Sequence, residues 1–101
     1  MNTTEILERL EREWDITDGF FGSLRDGFLR LERYDGVLEA LRSIEVSGDN
    51  INRDIVRLIW FIPRFMSWQD EGVREKGGDT KRLEQMTNEI EALLFEILGM
   101  P

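Results

Sequence analysis

Residues 50–69 read NINRDIVRLIWFIPRFMSWQ, and this stretch decides the fold because it is apolar on more than one side. At about 100° per residue, one set of its side chains falls on a single helical face, which we expect to be core. The members of this set are Ile51, Ile55, Leu58, Ile59, Ile62 and Met66. Pro63 removes a backbone hydrogen bond, so the sequence predicts a kink near residues 59–62.

The opposite side of the same helix carries a stripe of guanidinium groups and indoles. Its members are Arg53, Arg57, Trp60, Arg64 and Trp68. Two interpretations stay open. In the first, the indoles pack inside a bundle and the arginines pair with glutamates of flanking helices. In the second, the stripe is an exposed interface, since Trp and Arg are enriched at binding hot spots.

The two indoles of the stripe have different neighbours in the sequence. Trp60 lies among Leu58, Ile59 and Phe61, so we expect it in the core. Trp68 stands where the chain becomes polar, beside Asp70 and Glu71. We therefore expect Trp68, Asp70 and Glu71 to contact a partner.

The first helix is predicted to begin after Asn2, which forms a capping-box pattern with Glu5, and to end near Asp15. Ile6, Leu7, Leu10 and Trp14 mark its apolar face. Its other face is acidic and carries Glu5, Glu8, Glu11 and Glu13. Asp15 and Asp18 follow in the turn, and we expect both of them at a partner interface.

The segment from Asp18 to Val46 repeats apolar residues at helical spacing, including Phe20, Phe28 and Leu31. Its glycines at 19, 22 and 27 indicate close backbone approach to a neighbour or a frayed first turn. Asp35-Gly36 offers a break. One long helix bent at Gly36 and two shorter helices both fit this pattern.

The remaining boundaries carry clear turn and cap signals. Residues 47–50 predict a loop, in which Asp49 or Asn50 caps the central helix. Gly77-Gly78 ends the polar continuation of the central stretch. The last helix is predicted from Asp79 or Thr80 to Gly99, with Leu83, Met86, Ile90, Leu93, Leu94 and Ile97 on its apolar face.

These patterns predict an all-α protein, because no stretch alternates apolar and polar residues as a half-buried strand does. We expect one domain over residues 1–101, built as a small bundle of four to five helices around a central, Pro-kinked apolar helix. The longest apolar runs are too short for a membrane span, and no signal-peptide pattern opens the chain, so we expect a cytoplasmic protein.

Composition restricts the chemistry. The chain has no histidine and no cysteine, which removes the commonest general base, the commonest metal ligand and the thiol nucleophile. Its carboxylates lack the clustered spacing of a metal or two-carboxylate site, so we expect no enzyme, metal or cofactor. The net charge of −8 opposes binding to nucleic acid.

Negative charge is concentrated in the first and last helices around a neutral central one. A small acidic domain without catalytic groups is suited to neutralising a basic protein, such as a nuclease-like toxin, because opposite fields speed the encounter. Bacterial immunity proteins and antitoxins have this general character. Two alternatives stay open: a structural or adaptor subunit, including a homodimer that buries the last helix, and a DNA mimic.

Overall fold

The computed structural model describes all 101 residues and is all-α, with 66% of residues in helices and no strand. Seven helical segments follow one another along the chain. They are α1 (Thr3–Glu13), α2 (Phe20–Leu24), α3 (Leu31–Arg42), α4 (Arg53–Ile59), α5 (Ile62–Trp68), α6 (Asp70–Glu75) and α7 (Thr80–Leu98). The predicted fold class is confirmed, and the helix count exceeds the expected four to five. No helix combines the length and the apolar character that a membrane crossing needs.

The count is higher because the central stretch is three short helices rather than one kinked helix. Trp60 and Phe61 separate α4 from α5, and Pro63 is the second residue of α5, where a missing amide hydrogen is tolerated. The kink predicted near residues 59–62 is therefore a break. Both separating residues keep right-handed helical backbone angles.

Most predicted helix ends are confirmed. Asn2 and Glu5 form the reciprocal capping box of α1, the Asp79 side chain caps α7, and Gly99 ends α7 with a φ of +82°. The cap of α4 is Asn52, whose side chain accepts from the amides of Asp54 and Ile55. The prediction of Asp49 or Asn50 at that position was wrong, because residues 47–50 close their own turn through a Ser47–Asn50 backbone pair.

The segment from Asp18 to Val46 forms two helices, and the break lies at residues 25–30 instead of Gly36. Gly27 adopts a φ of +85° there. Phe28 and Leu31 are about half exposed, so their predicted place in the apolar face was wrong. The predicted close approach is confirmed at Gly22, where an added Cβ would lie 1.7 Å from the carbonyl oxygen of Asp15.

One core cluster of 22 buried hydrophobic residues joins all seven helices. Five of the six predicted core residues of the central stretch are buried in it, and the sixth, Ile51, is half-buried against it. Trp14, at the end of α1, contacts α2, α4 and α5. Its indole N–H donates to the carbonyl of Leu58 at 2.9 Å, and its ring centroid lies 4.6 Å from that of Phe21 and 4.9 Å from that of Phe65.

A buried carboxylate, Glu13, holds α1, α2 and α3 together. It has no exposed surface, which corrects its predicted place on the acidic outer face of α1. One of its oxygens accepts from the amide of Phe20 (3.0 Å) and from Nε of Arg33 (2.8 Å). The other accepts from Nε of Arg9 (2.9 Å) and Nη2 of Arg33 (3.3 Å), so both oxygens are fully hydrogen-bonded.

We predict that Glu13→Gln lowers the free energy of unfolding by about 2 to 4 kcal/mol, because it leaves two guanidinium groups without their carboxylate at a buried site. Urea unfolding followed by circular dichroism measures this loss. Glu11→Gln is the matched control on the same helix, since Glu11 is exposed and its loss should cost less than about 0.5 kcal/mol. Equal stability of the two variants would contradict the assigned role of Glu13.

Tyr34 makes the second buried polar contact, between α3 and α7. Its hydroxyl donates to the carboxylate of Glu89 and lies 3.3 Å from the carbonyl oxygen of Met86. Burial, followed by this hydrogen bond and the charge of Glu89, raises the pKa of Tyr34 well above its ordinary value.

Above about pH 10 the tyrosine ionises in the unfolded chain and stays neutral in the folded one, so the folded state holds more protons. We therefore predict that the free energy of unfolding falls as pH rises above about 10. Tyr34→Phe should be less stable at pH 7 and should lose this part of the decline. Urea titrations at each pH measure the free energy of unfolding of both proteins. If the two values decline in parallel, Tyr34 does not cause the decline.

Candidate functional site

The predicted contact residues lie on two separate surfaces. Asp15 and Asp18 follow α1, whereas Trp68, Asp70 and Glu71 lie where α5 passes into α6. No hydrogen bond or ion pair connects the two groups. The sequence predicted all five at a partner interface and did not indicate whether they adjoin.

The first surface is a shallow depression where the outer face of α1 meets the start of α3, and none of its lining residues is hydrophobic. Its lining, which we call the acidic depression, consists of Glu8, Glu11, Arg12, Asp15, Thr17, Asp18, Arg30, Glu32 and Arg33. Five of these are acids and three are bases, so the surface is acidic before any internal pairing is considered.

Internal pairing makes the acidic depression more negative toward solvent. Arg33 points into the protein and is held by Glu13, a hydrogen bond that raises the pKa of its guanidinium. Arg30 donates to the Ser23 hydroxyl at 2.7 Å and lies 3.6 Å from Glu32. Of the three bases, Arg12 alone has no ion pair.

Asp15 has a structural role within this depression. Its carboxylate accepts from the hydroxyl and amide of Thr17 and from the amide of Asp18, and these hydrogen bonds lower its pKa, the Thr17 hydroxyl most of all. It therefore stays charged at neutral pH while holding the turn. The Asp18 side chain is exposed and makes no such bond, so it is the freer of the two for an external contact.

The second surface is a cluster of three rings, Trp60, Phe61 and Trp68, on the outside of α4 and α5. Trp60 is 61% exposed and Trp68 is 64% exposed. The half-buried Phe61 ring lies between them, with centroids 5.3 Å from Trp60 and 5.2 Å from Trp68. The exposure predicted for Trp68 is confirmed, and the core position predicted for Trp60 was wrong.

The arginines of the stripe are also exposed and unpaired. Arg53, Arg57 and Arg64 have no ion pair, so the interpretation in which they bridge to acids of the flanking helices was wrong. Most other arginines engage a carboxylate or stack on a ring, as Arg25 does 5.3 Å from the Phe65 centroid. The stripe is thus a set of free cations beside exposed indoles in a chain of net charge −8.

Asp70 and Glu71 begin α6 beside this ring cluster. Asp70 is half-buried and pairs with Arg74 at 2.8 Å, which neutralises it locally. Glu71 is exposed and unpaired. Nowhere do three or more acidic side chains converge in an arrangement that could hold a metal ion.

Two features were not predicted from the sequence: the burial of Glu13 and the exposure of two apolar residues on α7. Glu13 shares the helical phase of Ile6 and Leu10, the buried residues of α1, and this spacing was the available signal. Phe95 and Leu98 were not singled out, and they lie 44% and 40% exposed on the last turns of α7. One outward-facing stripe of α7 carries residues that recur at steps of three and four: Glu84, Asn88, Glu91, Phe95 and Leu98.

We predict that Trp60→Ala and Trp68→Ala each lower the free energy of unfolding by only about 1 kcal/mol, chiefly through the lost contact with Phe61. Trp14→Ala is the comparison, because Trp14 is half-buried against the core and donates to Leu58, and it should cost about 3 to 5 kcal/mol. Thermal melts and urea titrations of the three variants measure the difference. A loss at Trp60 or Trp68 as large as that at Trp14 would contradict the assigned exposure.

Comparison of this chain with protein-family models, with curated proteins and with solved structures finds no match. The functional interpretation therefore depends on the geometry and charge of the two surfaces.

Proposed function

We propose that this chain is a protein-binding module that neutralises a basic protein by direct contact, in the manner of an immunity protein or antitoxin. The observation that carries the proposal is the acidic depression, in which the exposed carboxylates of α1 and the following turn outnumber the unpaired bases. The proposal assigns no catalytic step to the chain.

The buried Glu13 supports this proposal because it engages two arginines that could otherwise pair with surface acids. Arg33 lines the acidic depression, and both Arg33 and Arg9 direct their guanidinium groups to Glu13. The outer acids Glu8, Glu11 and Asp18 therefore have few internal partners. The carbonyl end of α1 points toward the same turn and adds the negative end of the helix dipole.

An acidic, concave surface suits a partner with a protruding basic surface. Opposite fields raise the rate of encounter, and carboxylates can occupy positions where a basic protein would otherwise hold phosphate. A nuclease or another nucleic-acid-directed toxin has a surface of this kind. Within the acidic depression, Asp18 is the residue we propose for direct contact and Asp15 is the residue that holds the turn in place.

An adaptor role is the second candidate, and the ring cluster of Trp60, Phe61 and Trp68 favours it. Large exposed aromatic groups bind through burial more than through charge, so such an interface would depend weakly on salt. Trp68, Asp70 and Glu71 belong to this second surface, and under the adaptor hypothesis they contact the partner. A DNA mimic has less support, because free arginines interrupt the acidic surface along α4 and α5.

The test uses the purified chain as bait for proteins of its native host, followed by binding kinetics with each purified captured protein. We predict a basic partner whose association rate falls at least tenfold as salt rises from about 0.05 to 0.5 M, since the Debye length shrinks to a few ångströms. Adding the chain in equimolar amount should inhibit the partner's activity.

Charge reversal at the acidic depression provides the matched comparison. Asp18→Lys and Glu11→Lys should each slow association, while Glu75→Lys makes the same change on an exposed residue at the end of α6 and should have a smaller effect. An association rate independent of salt, or an equal effect of all three variants, would reject the acidic depression as the contact surface and favour the adaptor role.

A further inference from the structure

The outer face of α5 and α7 carries three exposed charged side chains, Arg64, Glu84 and Glu91, that have no ion pair within the chain. A shallow groove separates the two helices. At one end Pro63, Arg64 and Trp68 face Thr87 and Glu91, and at the other end Ser67 and Asp70 face Glu84. Residue numbers rise along α5 as they fall along α7, so the helices are antiparallel and Arg64 lies level with Glu91.

The two walls of this groove have opposite character. The α5 wall presents a free cation and an exposed indole, Arg64 and Trp68. The α7 wall presents Glu84 and Glu91, which are exposed and have no ion pair. Arg64 and Glu91 line the same groove, yet no ion pair connects them within one molecule.

One helical turn farther along, the same face becomes apolar on both walls. Trp60 precedes Arg64 by four residues and Phe95 follows Glu91 by four, which places both near the same level in antiparallel helices. Trp60 and Phe61, which separate α4 from α5, both have right-handed helical backbone angles. Trp60 is 61% exposed and Phe95 is 44% exposed.

A two-fold rotation about an axis along the groove would bring Arg64 against Glu91 and Trp60 against Phe95 of a second copy. Such a rotation brings α5 of one molecule over α7 of another, so Arg64 meets Glu91 of the second copy and Trp60 meets its Phe95, each twice. Asp70, which would approach Glu84 of the second copy, is already neutralised by Arg74 at 2.8 Å. The face therefore matches itself at Arg64 with Glu91 and at Trp60 with Phe95, while Glu84 approaches an Asp70 that Arg74 already neutralises.

We propose that the occupant of the α5–α7 face is a second copy of this chain, forming a symmetric dimer. This goes beyond the proposed function and does not depend on it, because self-association is measured on the purified chain alone. The acidic depression belongs to α1 and α3, whereas the dimer face belongs to α5 and α7, so a dimer leaves two acidic depressions available.

The experiment is analytical ultracentrifugation of the purified chain between about 1 and 100 µM. We expect a concentration-dependent species of twice the 11.9 kDa chain mass. Arg64→Glu and Glu91→Arg should each weaken dimerisation about tenfold or more, because like charges then meet across the axis. Combining both changes in one chain restores the opposite-charge pairs, so the double variant should dimerise nearly as well as the parent.

Trp60→Ala should weaken the dimer about tenfold, as expected for an aromatic group at an interface. Arg53→Glu is the control for charge, because Arg53 lies eleven residues before Arg64, at a level beyond the end of α7 at Leu98. It should leave the dimer unchanged. Circular dichroism shows whether each variant is folded.

A chain that stays monomeric at about 100 µM would overturn the proposal. So would a double variant no more dimeric than the single variants, or an equal effect of Arg53→Glu. A monomer that still associates with its basic partner in a salt-dependent way would reject the dimer alone. A dimer that captures no basic partner would reject the proposed function alone.

Discussion

A carboxylate without access to water, Glu13, is the group on which the first half of this fold depends. It lies at the end of α1, accepts the first amide of α2 and receives guanidinium groups from α1 and α3. A buried carboxylate is stable only while its hydrogen bonds are complete, and here four donors complete them. The same requirement fixes the position of α3, because Arg9 reaches Glu13 past Gly36, where an added Cβ would lie 1.6 Å from its guanidinium.

This internal acid also shapes the outer surface. A chain with 21 acids and 13 bases could distribute its arginines among the surface carboxylates, and that arrangement would leave little local field. Instead, Arg9 and Arg33 pair with the buried Glu13. The remaining carboxylates face solvent together, which is the physical basis of the proposed attraction of a basic partner.

On the other side of the protein, the aromatic groups form a continuous path from core to surface. Ring contacts connect Tyr34, Phe20 and Phe21 through Trp14 and Phe65 to Phe61, whose neighbours Trp60 and Trp68 are exposed. The inner rings are fixed by packing, so Phe61 is a rigid base for the two indoles. Exposed aromatic groups on a rigid base lose little conformational entropy when a second molecule covers them.

The sequence by itself determined the features whose causes lie within a few residues. The capping box of Asn2 and Glu5, the cap at Asp79, the end at Gly99 and the core phase of Ile55, Leu58, Ile59, Ile62 and Met66 all follow from local hydrogen bonds, backbone angles and helical spacing. Only the tertiary structure decided which faces are covered. Trp60 has apolar neighbours in sequence, yet α7 packs on the inner side of α5 and no element covers the outer side of Trp60. Glu13 is buried because α2 and α3 meet at the end of α1, and the break before α3 falls at Gly27, beside the backbone of Gly72, instead of at Gly36. These outcomes depend on residues far apart in the chain, and helical periodicity carries no information about which of them will meet.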